Sequence, residues 1–156
     1  MLTESLPKLA VLAAGQRPVE KNLPQGAELC QPPRVLVVDD EPLLRWSVAE
    51  TLVDEGWQVT EAAGAESALV AFPEIARAGG LVFLDLTLPD SDDLHVLAAM
   101  HRLSPRTPVI LMTAHATPHL VDAARALGAF AVIDKPFDMG DLAPLAERAS
   151  RHSRAQ

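Results

Sequence analysis

Asp39, Asp40 and Glu41 follow directly on the apolar run VLVV, and Pro42 follows them. Asp85 closes a second apolar run, LVFLD; Thr113 closes PVILMT; Lys135 follows FAVID and precedes Pro136. Taken singly, each has an ordinary explanation. An acid before a proline is a good helix start. Pro89 and Asp90 can make the turn after Asp85, and threonine or Lys-Pro commonly ends a strand. Taken together they form a different set. Two carboxylates about 4 Å apart repel by roughly 4 kcal/mol at an effective dielectric of about 20, a cost that no structural role requires. A divalent cation removes it. Hard carboxylate oxygens suit Mg²⁺, which takes one or two of them and keeps other positions for water and phosphate oxygens. The Lys135 ammonium and the Thr113 hydroxyl would then face an incoming anion. The chemistry implied is metal-assisted phosphoryl transfer, provided the fold brings these residues together.

The elements that must do so alternate in type. Strands are expected at 35–39, 57–62, 81–85, 108–113 and 130–134. Helices are expected at 42–55, 65–77, 92–103, 117–127 and 138–151. In the fourth helix Leu120, Ala124 and Leu127 fall on one apolar stripe. Gly56 and Gly128 stand where a left-handed residue would stop a helix. Pro73 should break or kink the second helix. Successive βα units of this length imply a doubly wound, flavodoxin-like α/β fold, a five-stranded parallel sheet with helices on both faces. The functional crevice of such sheets lies beyond the carboxyl ends of the strands. If the first and third strands are neighbours, Asp39, Asp40 and Asp85 share one pocket.

Composition bounds the remaining possibilities. A chain of 156 residues, 49% apolar and 22% charged, has the balance of one globular domain. No apolar run approaches the roughly 18 residues that a membrane span needs. Glu4 and Pro7 spoil the first residues as a secretory leader, and the lone Cys30 has no internal disulfide partner. A cytoplasmic location is expected. The net charge of −8 disfavours direct binding of nucleic acid. Residues 1–33 hold five of the thirteen prolines and read as a flexible extension, with a short helix around 9–14. The domain itself is expected at 34–151, with 152–156 as a tail.

From Arg34 to about Arg151 the chain resembles the receiver domain of two-component response regulators. The resemblance rests on VVDDEP, on Asp85 in DLTLPDSDDL, on TAH after the fourth strand and on KPFD after the fifth. LLRWS, MTAH and GAF…KPFD are closest to receivers of the nitrogen-regulation type, which precede sigma-54-activating ATPases. No Gly-rich P-loop is present, so the chain is expected to be a stand-alone receiver. The resemblance implies that Asp85 is the phospho-acceptor, taking a phosphoryl group from a histidine kinase or phosphotransfer protein. It implies Mg²⁺ held by Asp40, Asp85 and the backbone carbonyl of Thr87, with Asp39 acting through a water. Lys135 and Thr113 would contact phosphoryl oxygens. Thr113 would also be the switch, with Ala114 leaving its path clear, and helix four, strand five and helix five would present the altered surface to a downstream protein. Whether the fourth helix also mediates a homodimer is left open.

Two positions depart from that pattern, and a pair of histidines invites a separate reading. Receivers usually carry Tyr or Phe three residues before the lysine, where this chain has Val132. Phe130, two residues earlier, should share its strand face by period two. Asp93 replaces a common glycine, and a positive φ is expected there. His115 and His119 are four apart, but Thr117-Pro118 sets the helix start after His115, so a metal pair is not expected. His115 should instead face the mouth of the acidic pocket. Two other readings bear weighing. A dehalogenase-type phosphatase needs a second Asp two residues after its nucleophile, and Thr87 and Glu41 occupy those positions. A phosphorylation-independent interaction module on the receiver fold is favoured by Val132 and opposed by the intact acids, Thr113 and Lys135.

Overall fold

Three of the five strands, the first, third and fourth in sequence, can be buried on both faces because they run apolar without alternation, and helices from both sides then cover them. The computed structural model describes residues 31–156, apart from residue 92. Its elements are β1 (Arg34–Val38), α1 (Pro42–Asp54), β2 (Gln58–Ala62), α2 (Ala65–Arg77), β3 (Leu81–Asp85) and α3 (His95–Leu103). They continue with β4 (Val109–Thr113), α4 (Pro118–Ala126), β5 (Ala131–Asp134), a 3-10 turn (Met139–Asp141) and α5 (Leu142–Arg154). The sheet is five-stranded and parallel, in the order β2-β1-β3-β4-β5. This is the doubly wound, flavodoxin-like arrangement that the alternation implied.

Alternate residues of one strand serve different cores. Leu36, Val38, Val82, Leu84, Val109 and Leu111 face Phe72 and Ile75 of α2, Leu97 and Met100 of α3, and Ala124 of α4. Val35, Val37, Leu81, Phe83, Ile110 and Met112 face Val48 and Leu52 of α1 and Leu142, Leu145, Ala146 and Ala149 of α5. Full burial of each such aliphatic or aromatic side chain contributes about 1.5–3 kcal/mol. Strand β2, at the sheet edge, is mostly exposed and polar (QVTEA), so it could not be recognised by hydrophobicity alone.

Several expectations require correction. Helix α2 continues through Pro73. The proline is exposed, so the carbonyl it leaves unpaired can be hydrated, while Phe72 and Ile75 on either side are fixed in the core. Helix α3 begins at His95 rather than 92, because the Asp93 carboxylate accepts the His95 N–H at 2.9 Å and sets the first turn there. No described residue other than glycine has positive φ, so Asp93 does not take the conformation expected of it. Helix α5 runs to Arg154, beyond the expected 151. Of the stripe on α4, Ala124 is fully buried, whereas Leu127 lies past the helix end and is exposed. Gly56 and Gly128 are left-handed as expected, with φ of 93° and 97°. At Gly128 a Cβ would also lie 2.3 Å from the His101 ring, so any side chain there would have to displace that ring as well as adopt a positive φ. Residues Pro32–Gln156 form one compact unit. The reading of residues 1–30, including the helix around 9–14, lies outside the described residues. Among the described residues no helix is long and apolar enough to cross a membrane.

Candidate functional site

The β1–β3 pairing, Val35 with Leu81 through Val38 with Leu84, brings the acidic end of the first strand beside Asp85. Asp39, Asp40 and Asp85 each offer a carboxylate oxygen, and these oxygens all lie within 4.8 Å of one another. Asp39 is 1% exposed and Asp85 5%, while Asp40 is open to solvent. The acids are not there to cap a helix. Pro42 opens α1, but the Glu41 side chain makes no capping hydrogen bond, and the Asp39 carboxylate is turned into the site.

Lys135 follows β5 and reaches across the sheet end. Its Nζ donates to Asp39 Oδ2 at 2.8 Å and lies 3.3 Å from Asp85 Oδ1. Asp39 Oδ1 accepts the Glu41 N–H at 2.9 Å, and Asp85 Oδ1 accepts the Thr87 N–H at 3.3 Å. Thr113, 4% exposed, ends β4, and its carbonyl accepts the Lys135 N–H at 2.7 Å. Its Oγ1 accepts the His115 N–H at 3.2 Å, which leaves the hydroxyl hydrogen free to donate.

One ammonium among three carboxylates leaves the site negative. Burial pushes the Asp85 carboxyl up from 3.8 to about 6, and the Asp39 charge adds to the rise, with Lys135 and the Thr87 N–H opposing. Burial works against the Lys135 ammonium too. The hydrogen bond and charge of Asp39, with Asp85 adding, outweigh it and hold its pKa above the ordinary lysine value. A hard-oxygen cluster, partly buried and short of positive charge, fits a small divalent cation.

Thr87 and Ala114 are exposed loop residues beside Asp85 and Thr113. Val132 is partly buried and packs with the α2–α3–α4 core. Phe130 does not share that face. It packs with the α1–α5 core and meets the His152 ring at 5.4 Å between ring centres, tilted by 50°. The strand starts only at Ala131, so the period-two alternation does not reach back to Phe130. His115 and His119 are both exposed, and His115 precedes the Thr117 cap and so lies outside α4, as expected.

Several supporting contacts leave no mark in the sequence. Arg45 donates to the Asp39 carbonyl at 2.9 Å and to Glu61 at 3.1 Å. Asp90 accepts the N–H groups of Ala65 and Glu66 at 2.7 and 3.0 Å. Asp134 accepts the Ala116 N–H at 3.1 Å, fixing the loop after Thr113. Each partner lies distant in sequence or in an unpatterned loop, where periodicity carries no signal.

A family model described as the response regulator receiver domain matches residues 35–147. The chain belongs to this family. Among its relatives, the transcriptional regulatory protein PdtaR of Mycobacterium tuberculosis is 36% identical over 124 residues, which are 79% of this chain and 59% of that protein. The nitrogen assimilation regulatory protein NtrX of Azorhizobium caulinodans is 38% identical over 117 residues, 74% of this chain and 25% of NtrX. The receiver domain therefore corresponds to only part of the length of these relatives. The crystallised receiver domain of Brucella abortus NtrX superposes with a TM-score of 0.68 at 39% identity, covering 75% of this chain and 98% of that one. A CheY-like receiver from Methanospirillum hungatei gives 0.70 at 27% identity, covering 80% and 98%.

Proposed function

We propose that this receiver domain, residues 34–151, is a phospho-acceptor of a phosphorelay, taking a phosphoryl group onto Asp85 from the phosphohistidine of a sensor kinase or phosphotransfer protein. The observation that carries the reading is a buried strand-end Asp85, 3.3 Å from the Lys135 ammonium and inside a three-carboxylate cluster. Asp40, Asp85 and the Thr87 carbonyl would hold Mg²⁺, with Asp39 contributing through a water. Bound there, the ion would neutralise charge on the phosphoryl oxygens. An Asp85 oxygen attacks phosphorus, the new O–P bond replaces the P–N bond, and the imidazole leaves. The transition state is loose, so the site acts by positioning and by charge. The Lys135 ammonium and the Thr113 hydroxyl each meet a phosphoryl oxygen as its charge grows.

Drawn to that oxygen, Thr113 gives up its bond to the His115 N–H and moves the loop through Ala114 that enters α4. The α4–β5–α5 surface then shifts its population between two states and meets a downstream protein. Val132 favours a second reading for this step alone. With valine at the usual aromatic position and Phe130 packed on the other face, the domain would bind its partner without a phosphorylation-driven switch. A cytoplasmic location fits both readings.

Intact mass after incubation with Mg²⁺ and acetyl phosphate tests the chemistry. One phosphoryl adduct is expected on the wild type, and none on Asp85→Ala or without metal. No adduct from either acetyl phosphate or a phosphorylated kinase would leave the constitutive binding module as the better reading.

A further inference from the structure

The two loops that carry the acids are both fastened to one place, the corner where β2 becomes α2. On the β1–α1 side, the Asp39 N–H donates to the Ala62 carbonyl at 3.1 Å. Arg45, only 20% exposed at its side chain, bridges the Asp39 carbonyl and Glu61 of β2. On the β3–α3 side, Leu88 and Ser91 exchange backbone hydrogen bonds of 2.8 and 3.2 Å, closing a tight turn, and Leu88 is sunk in the core. From that turn the Asp90 carboxylate clasps the Ala65 and Glu66 N–H groups at the start of α2. Gly64 allows the clasp, since a Cβ there would stand 3.0 Å from Asp90 Oδ1.

Neither Arg45 nor Asp90 belongs to the acidic cluster. Each is tied to a loop that does, and each is tied to the same short segment, Glu61–Glu66. We infer that this segment is a brace, and that Arg45 and Asp90 are positioning residues that hold the metal-binding loops at their working separation. The inference rests on the reading of the cluster as a Mg²⁺-dependent phospho-acceptor site. Partners that orient metal ligands typically change affinity by about 10–100-fold when removed.

The test is a calorimetric Mg²⁺ titration of the wild type, Asp90→Ala, Arg45→Ala and Gly64→Ala. It is accompanied by thermal melts and by phosphorylation rates with acetyl phosphate across Mg²⁺ concentrations. Asp90→Ala and Arg45→Ala should each raise the Mg²⁺ dissociation constant by roughly tenfold. The rate at saturating Mg²⁺ should return toward the wild-type value; in variants that the melts show to be fully folded at the assay temperature without metal, loss of stability would not produce that split. Gly64→Ala, whose extended backbone accepts alanine, should act in the same direction by crowding Asp90. Wild-type Mg²⁺ affinity in folded Asp90→Ala and Arg45→Ala overturns the brace. A wild type that binds no Mg²⁺ overturns the phospho-acceptor reading and the brace with it, and is told apart by the wild-type titration alone.

Discussion

Asp85 is held at a cost. Its folded-state pKa of about 6 exceeds the unfolded 3.8, so the folded protein binds the extra proton between those values. Stability from this group is present below the unfolded pKa and declines as pH rises through about 6. The shift corresponds to about 3 kcal/mol at most. Asp85→Asn should therefore be more stable than wild type by on the order of 1–3 kcal/mol above the folded pKa, the two converging in acid. Denaturant unfolding across pH without metal checks this, and a difference that does not depend on pH would sink it. Added Mg²⁺ should stabilise the wild type more than the variant. Lys135 is the counterpart. Removing it strands two buried acids, so Lys135→Ala should lose roughly 3 kcal/mol in metal-free buffer and recover part of that in Mg²⁺. Equal losses with and without the ion would argue against a shared charge role for lysine and metal. Asp90 and Asp93 run the other way. The Ala65 and His95 N–H groups, respectively, are the main cause of pKa values held below the ordinary carboxylate value, so any stability they add is lost as pH falls.

At the scale of the element, α2 carries an internal proline that its neighbours tolerate. Nothing in the helix uses Pro73, which faces solvent between two buried anchors. Pro73→Ala restores a backbone donor and a good helix former. It should stabilise the domain by about 1–3 kcal/mol, read as a higher denaturation midpoint with unchanged slope. Unchanged or reduced stability would mean that the proline fits a local bend. Strand β5 matters differently. It delivers Lys135 to the site, and the partly buried Val132 leaves less side chain to move than an aromatic ring would. A phosphoryl adduct on Asp85 without altered hydrogen exchange in α4 and β5 would favour the constitutive reading for the output step.

For the molecule as a whole, the parallel sheet sorts charge as well as side chains. Strand ends bring the acids to one edge, while the helices run back and place Arg77, Arg102, Arg125, Arg151 and Arg154 in their last turns at the other, where helix dipoles favour cations. The two cores carry the stability. Phe83, fully buried at the centre of β3, should cost about 3–5 kcal/mol on replacement by alanine. Val70→Lys, at a site 78% exposed, should stay within about 0.5 kcal/mol. Comparable losses at both positions would contradict this placement of the cores.

The alternation of elements, the burial of strands β1, β3 and β4, and the polar residue at the end of each strand that feeds the site were all legible in the amino-acid order. These are legible because an apolar run interrupted by acid, threonine or lysine is local information. Given β1 beside β3, the sequence pattern also put Asp39, Asp40, Asp85, Thr113 and Lys135 together at the carboxyl end of the sheet. That neighbour relation comes from long-range strand pairing and is visible only in the folded molecule. The fold alone reveals Arg45 and Asp90 as supports, since their partners on β2 and α2 lie 16 to 25 residues away. It separates Phe130 from Val132, because alternation holds only within the strand. And it keeps α2 whole through Pro73, because burial on either side of one exposed residue outweighs the lost hydrogen bond.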